Sequence, residues 1–330
     1  MTSTWNELAV YQPKVLKLLA NSIQKNRLAH AYLFEGSKGT GKKDISLLLA
    51  KRYFCQNPSG YEPCHICRNC RRIDTGNHPD VHIVQPDGLS IKKSQIQALQ
   101  EEFSKAGVES NKKLYIIEHA DRMTVNAANS LLKFLEEPSS STIAILITEQ
   151  VHRIINTILS RCQTLSFQPI PPSAIREELE KHEVPSRIAH LVSYLTNDVE
   201  QALEISRDDW FAEARAIVIK LYKVLWDRKG QAPLMIHTQW MPHFNDKEKQ
   251  DIGLDLLLYI YKDLLSVQIG NDKQVVFQDL LQQLKQHSLQ ITQRNLLKKI
   301  TLVLDAKRKL HANTNPQLLM EQLVLTLQEG

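Results

Sequence analysis

Gly36-Ser37-Lys38-Gly39-Thr40-Gly41-Lys42-Lys43 is the segment that most restricts how this chain can fold. It follows the apolar run Ala31-Tyr32-Leu33-Phe34 and opens Asp44-Ile45-Ser46-Leu47-Leu48-Leu49. Strand, glycine loop and helix thus come in the order that a phosphate-binding loop requires. Glycines let successive backbone N–H groups curl round phosphate oxygens, and the helix N-terminus adds its positive end. Gly36, Gly39, Gly41 and Lys42 are therefore the candidate nucleotide-binding residues, with Lys42 reaching the outer phosphates. A Ser or Thr normally follows and gives its hydroxyl to Mg²⁺. Here the residue is Lys43, a cation that cannot ligate a metal.

The surrounding pattern repeats this alternation. Strand signals fall at Ala31–Phe34, Val81–Val84, Leu114–Ile117, Thr142–Ile147 and Thr164–Phe167, with helical patterns at Lys42–Phe54, Lys93–Lys105 and Thr124–Glu137. Such alternation implies a parallel sheet covered on both faces, with ligands at the C-terminal ends of the strands. The third helix is well specified: Thr124 can cap it, Val125, Ala128, Leu131, Leu132 and Leu135 form one apolar stripe, and Pro138 stops it. Gln168-Pro169-Ile170-Pro171-Pro172-Ser173 then reads as a linker, because clustered prolines continue neither helix nor sheet. Beyond it the pattern is helical, with longer amphipathic segments at Asp251–Leu265, Val276–Gln286 and Asn295–Leu310. A chain of 330 residues is long for one domain. The expected division is 1–168, 169–207 and 208–330.

Cys55, Cys64, Cys67 and Cys70 form C-x8-C-x2-C-x2-C. Four thiolates satisfy tetrahedral Zn²⁺ and leave no position open for water, so the expectation is a structural zinc module spanning about 55–78. His65 and His78 are substitute ligands that the set does not need. Cys162 lies apart and reads as a small buried residue.

Two further positions bear on phosphate chemistry. In P-loop ATPases the strand equivalent to Leu114–Ile117 ends in an Asp for Mg²⁺ and then a Glu that orients the attacking water. This chain has Glu118-His119, with Asp121 placed to cap the next turn. Magnesium coordination is thus altered at both of its usual sources. In Ser160-Arg161-Cys162, an arginine at a helix-to-strand turn can aim its planar guanidinium at a neighbouring molecule's phosphate. On spacing alone Arg161 would read as a solvated charge.

The bulk properties exclude little. A net charge of +5 permits contact with nucleic acid without demanding it. Residues 1–14 carry no signal-peptide pattern, and no apolar run approaches the roughly 18 residues that span a bilayer. Clustered cysteines fit an intracellular metal site better than a disulfide framework. The expected place is the cytoplasm, with no membrane partner.

Taken together, Gly36–Lys42, the four cysteines, Leu131-Leu132-Lys133-Phe134-Leu135-Glu136-Glu137-Pro138 and Ser160-Arg161-Cys162 resemble the AAA+ clamp-loader subunits of bacterial DNA polymerase III. His30-Ala31-Tyr32-Leu33-Phe34, His78-Pro79-Asp80 and Ala312-Asn313-Thr314-Asn315-Pro316-Gln317-Leu318 agree with this, so the resemblance covers nearly the whole chain. It implies an α/β AAA+ domain with an inserted zinc module, followed by all-α lid and collar domains. It also implies a heteropentameric complex with gamma/tau ATPase subunits and a delta subunit, which opens the sliding clamp and places it on primed DNA. The altered nucleotide site is similar to that of the non-hydrolysing stator subunit. The stretch Thr196–Leu203, where the family's ATPases carry a lid arginine, has none. The resemblance then makes Arg161 an arginine finger that completes a neighbour's ATP site, with ATP or ADP bound weakly or not at all by this chain.

Two other readings stay open on the residues. One is an active ATPase with Glu118 as a substitute metal ligand. The other is a zinc-containing DNA-binding module using Lys38, Lys42, Lys43, Lys51, Arg52, Arg68, Arg71 and Arg72. Aromatic content of 6% argues against stacking on single strands in the second.

Overall fold

The computed structural model of the chain describes residues 4–104, 111–136, 141–227, 230–312 and 314–329. Lys105, Glu137, Pro138 and Asn313, which entered the sequence argument, lie outside the described residues. The chain divides into two compact units, Met1–Pro171 and Pro172–Gly330.

The first unit begins with helices α1 (Trp5–Tyr11) and α2 (Pro13–Gln24). Then come strand β1 (Ala31–Glu35), α3 (Lys42–Phe54), α4 (Arg68–Asp74), β2 (Val81–Val84) and α5 (Lys93–Ser104). After these follow β3 (Lys113–Ile117), α6 (Val125–Glu136), β4 (Thr142–Thr148), α7 (Asn156–Leu159) and β5 (Gln163–Ser166). The strands lie in the order β2-β3-β4-β1-β5, and every pairing is parallel.

Strand residues alternate between two cores, as the pleat dictates. Tyr32 and Phe34 of β1 join Leu16, Leu19, Ile45, Leu48 and Leu49 on one face, so α2 and α3 cover it. Ala31 and Leu33 join Tyr115, Ile117, Leu131 and Leu135 on the other, under α5 and α6. This two-sided burial is why the strands read as continuous apolar runs.

The hydroxyl of Thr124 accepts from the Ala127 N–H at 3.2 Å and caps α6, as its sequence requires. The α6 stripe differs at one end. Val125 is 68% exposed, and Ala127 is buried in its place. A residue in the first turn can face solvent without interrupting the helix, so periodicity alone misplaces it.

The second unit is helical: α8 (Pro172–Lys181), α9 (Ser186–Val192), α10 (Val199–Arg207), α11 (Asp209–Asp227), α12 (Ala232–Met235) and α13 (Met241–His243). It continues through α14 (Lys247–Gln268), α15 (Leu281–Ser288), α16 (Gln293–His311) and α17 (Pro316–Glu329). The expected helix over Val276–Gln286 is shorter at its start. The buried carboxylate of Asp263 accepts from the Val276 N–H at 2.8 Å and the Phe277 N–H at 2.7 Å. Those amides are held in a loop, and the α-helix begins at Leu281. No helix among the described residues is long and apolar enough to cross a membrane.

One glycine fixes where the phosphate loop leaves the sheet. Gly36 has φ +150°, and a Cβ there would lie 2.7 Å from the carbonyl oxygen of Phe167. Gly36→Ala should therefore force the end of β1 away from the segment after β5. We expect a loss of about 1–3 kcal/mol in urea unfolding of the whole chain. An unchanged midpoint and slope would show that the contact relaxes freely.

Candidate functional site

Because all five strands are parallel, their C-terminal ends gather at one edge of the sheet. Glu35 and Gly36 leave β1 there, Glu118 follows β3, Thr148 ends β4 and Ser166 ends β5. The loop after β1 has Gly39 at φ +77° and Gly41 at φ +78°, the left-handed conformation that glycine adopts at no cost in Cβ contact. Gly41 is also the N-cap of α3. The loop between β1 and α3 thus takes the backbone turns that its glycines allow.

Lys42 does not extend outward from it. Its ammonium donates to the carbonyl oxygens of Gly36 at 2.8 Å and Ser37 at 2.5 Å, and it lies 3.2 Å from Thr40 Oγ1. The residue is 6% exposed. Burial lowers its pKa, and the carboxylates of Glu149 and Asp121 oppose that shift. Within this chain the loop's own oxygens take the place that outer phosphates would take at the amine.

Lys43 faces the acid that follows β3. Its Nζ lies 3.0 Å from Glu118 Oε1. The contact is an ion pair by distance, since Oε1 makes no aligned hydrogen bond. The other oxygen, Oε2, accepts from Gln85 Nε2 at 3.0 Å. The two positions that the sequence singles out for Mg²⁺ thus face each other as a cation and a carboxylate at ion-pair distance.

The next residues are committed as well. His119 sits at φ +52° and opens a short 3-10 turn at Ala120–Arg122. Asp121 accepts from the Thr148 hydroxyl at 2.8 Å and from the Glu149 N–H at 3.4 Å, so it ties β4 to this turn in place of the cap expected for it.

Sequence reasoning passed over Gln12. Its side chain donates to the carbonyls of Thr40 at 3.1 Å and Gln168 at 2.6 Å, and accepts from the Gln168 N–H at 3.1 Å. Nothing in the sequence around Gln12 linked it to residue 168, 156 positions away.

The four cysteine sulfurs all lie within 4.8 Å of one another. The Cys64 N–H donates to Cys55 Sγ at 3.2 Å and the Cys67 N–H to Cys64 Sγ at 3.4 Å. Such amide support lowers the Cys64 thiol to about 6, whereas burial raises those of Cys55 and Cys70. Four thiols this close cannot all ionise without a cation among them, so the donor set fits a tetrahedral thiolate-bound metal. His65 turns to Glu62, with Nε2 2.8 Å from Oε1, and His78 Nδ1 accepts from the Asp80 N–H at 3.2 Å. Neither joins the sulfurs. Cys162 is half-buried against the second core, and burial raises its thiol to about 12.

Arg161 follows α7 and is held by its own chain. Nη1 donates to the Thr157 carbonyl at 2.8 Å and lies 3.3 Å from Ser160 Oγ, while Nη2 donates to Glu136 Oε1 at 2.7 Å. Its side chain keeps 34% of its exposure.

Three of the eight residues of the amino-terminal basic cluster are engaged within the chain. Lys42 and Lys51 are buried, Lys51 pairs with Asp74 at 2.5 Å, and Lys43 pairs with Glu118.

The sheet order, the glycine loop at its edge and the thiolate cluster beside α3 define an AAA+ P-loop protein with a zinc-type module. A profile of the DNA polymerase III delta subunit family matches residues 11–171, and one of that subunit's C-terminal region matches residues 218–329. The DNA polymerase III subunit delta' of Bacillus subtilis is 61% identical over 330 residues, covering 100% of both chains. This chain belongs to the DNA polymerase III delta-prime family. The subunit tau of the same organism is 35% identical over 176 residues, 53% of this chain and 31% of that protein. Among solved structures, a gamma subunit-related protein of Thermotoga maritima aligns over 96% of this chain and 99% of its own, with TM-score 0.50 and 18% identity. That likeness concerns the fold.

Metal analysis of the purified protein should give about one zinc per chain. Cys67→Ser should release it. A loss of even about 2 kcal/mol would lower the unfolding midpoint of a unit this size by about 4–8 °C. Full zinc content in that variant would break the assignment of the four ligands.

Proposed function

We propose that this chain is the stator of a DNA polymerase III clamp loader, a subunit that turns over no ATP itself and donates Arg161 to the ATP site of a neighbouring gamma/tau subunit. The observation that carries this reading is the Lys43–Glu118 ion pair at 3.0 Å. Phosphoryl transfer relies on divalent charge between the phosphate oxygens. Here a monovalent side chain fixed to the protein is paired with the acid that would recruit that charge.

The resulting roles are specific. Gly36, Gly39, Gly41 and Lys42 keep the loop as architecture, and any nucleotide held there lacks a magnesium partner. Cys55, Cys64, Cys67 and Cys70 hold zinc in a structural role. Residues 169–207 serve as a lid, and 208–330 as a collar that joins the subunit to gamma/tau and delta. The assembled complex opens a sliding clamp and sets it on primed DNA in the cytoplasm. An active ATPase gains no support from this site, because Glu118 would have to leave Lys43 to reach a metal. A DNA-reading zinc module loses Lys42, Lys43 and Lys51, which are buried or paired.

Arginine fingers stabilise charge that develops on the transferred phosphoryl group, and they contribute large rate factors. Arg161→Ala should slow hydrolysis by roughly tenfold or more at the site it faces. The loss should be read as missing fast amplitude in single-turnover, DNA- and clamp-stimulated hydrolysis by the reconstituted complex, with assembly unchanged. Full fast amplitude would remove the role of Arg161 in trans.

A further inference from the structure

Arg161 is partly exposed at a turn after a helix of only four residues, α7. A long side chain in such a setting carries about 2 kcal/mol of rotamer freedom. Its contacts with Thr157 and Ser160 both come from its own turn and both use Nη1. They hold one edge of the guanidinium to its own short turn, so its placement is only as firm as that turn. The contact of Nη2 with Glu136 Oε1 at 2.7 Å is of another kind. Glu136 is the last residue of α6, a helix capped by Thr124 and packed into the second core through Leu131 and Leu135. It therefore ties the far side of the guanidinium to a rigid element.

We propose that Glu136 is a positioning residue for Arg161: it anchors the far edge of the guanidinium to α6, so that the finger is set before a neighbour's nucleotide arrives. The inference rests on the reading of Arg161 given above. A guanidinium has five N–H donors. Thr157, Ser160 and Glu136 engage three, which leaves two for phosphate oxygens. Exposed ion pairs are weak, with a median of about 0–1 kcal/mol. Glu136 thus acts through placement of the fork, since misplacement by about 1 Å can cost on the order of a hundredfold in rate.

The test uses the reconstituted complex and the single-turnover rate of the site that Arg161 completes. Glu136→Ala should slow that site on the order of tenfold, with nucleotide affinity and assembly unchanged. Glu136→Gln should stay within about twofold of wild type, because its amide oxygen still accepts from Nη2. The double variant Glu136→Ala/Arg161→Ala should be no slower than Arg161→Ala alone. Wild-type turnover in Glu136→Ala would overturn the proposal, as would Gln behaving like Ala or a double variant slower than Arg161→Ala. If Arg161→Ala itself has no effect, the trans role fails. A clear Arg161→Ala defect beside an unaffected Glu136→Ala sinks the positioning role alone.

Discussion

Five strands in one direction leave all their carboxyl ends on one edge of the sheet. Each end there exposes a carbonyl and the start of a loop, and the residues placed at those turns must settle charge among themselves or with a ligand. In this chain they settle it internally. Lys42 is bonded to the oxygens of its own loop, Lys43 to Glu118, Asp121 to Thr148, and Glu35 to Ser166. On our reading, these contacts stand where a P-loop nucleotide enzyme would engage its ligand and metal, around a glycine loop that keeps its left-handed turns.

The same edge leads outward to Arg161. From Thr148 the chain turns through α7 to reach β5, and Arg161 stands at that last turn. Its partner Glu136 ends the helix that covers the second core. Two sequence motifs that lie 25 residues apart thus meet in one ion pair. Function in this family, on our reading, moves from the centre of the sheet edge to its exposed corner.

Much of this was legible in the sequence because backbone-determined features leave local marks. The strand from Val81 to Val84 and the helix from Lys42 to Phe54 begin and end where hydrophobic runs, glycines and caps place them. The four cysteines announced their cluster through short spacings. The substitution of Lys43 and Glu118-His119 was visible as a departure, but the bond between Lys43 and Glu118 was not, since it joins residues 75 positions apart. Gln12 with Gln168, and Arg161 with Glu136, were hidden for the same reason. Pairing between side chains depends on register across the sheet, and no single window of sequence contains it. Asp263 shows the converse: a buried carboxylate took two amides from an apolar stretch that read as helix.

The central claim is that a protein cation stands in for magnesium at the nucleotide edge. Calorimetric titration of the isolated chain with ATP, in the presence and absence of Mg²⁺, tests it most directly. The account predicts weak or undetectable binding whose affinity does not change with the metal. Tight binding that requires Mg²⁺ would contradict it, because Glu118 would then have to exchange Lys43 for the ion.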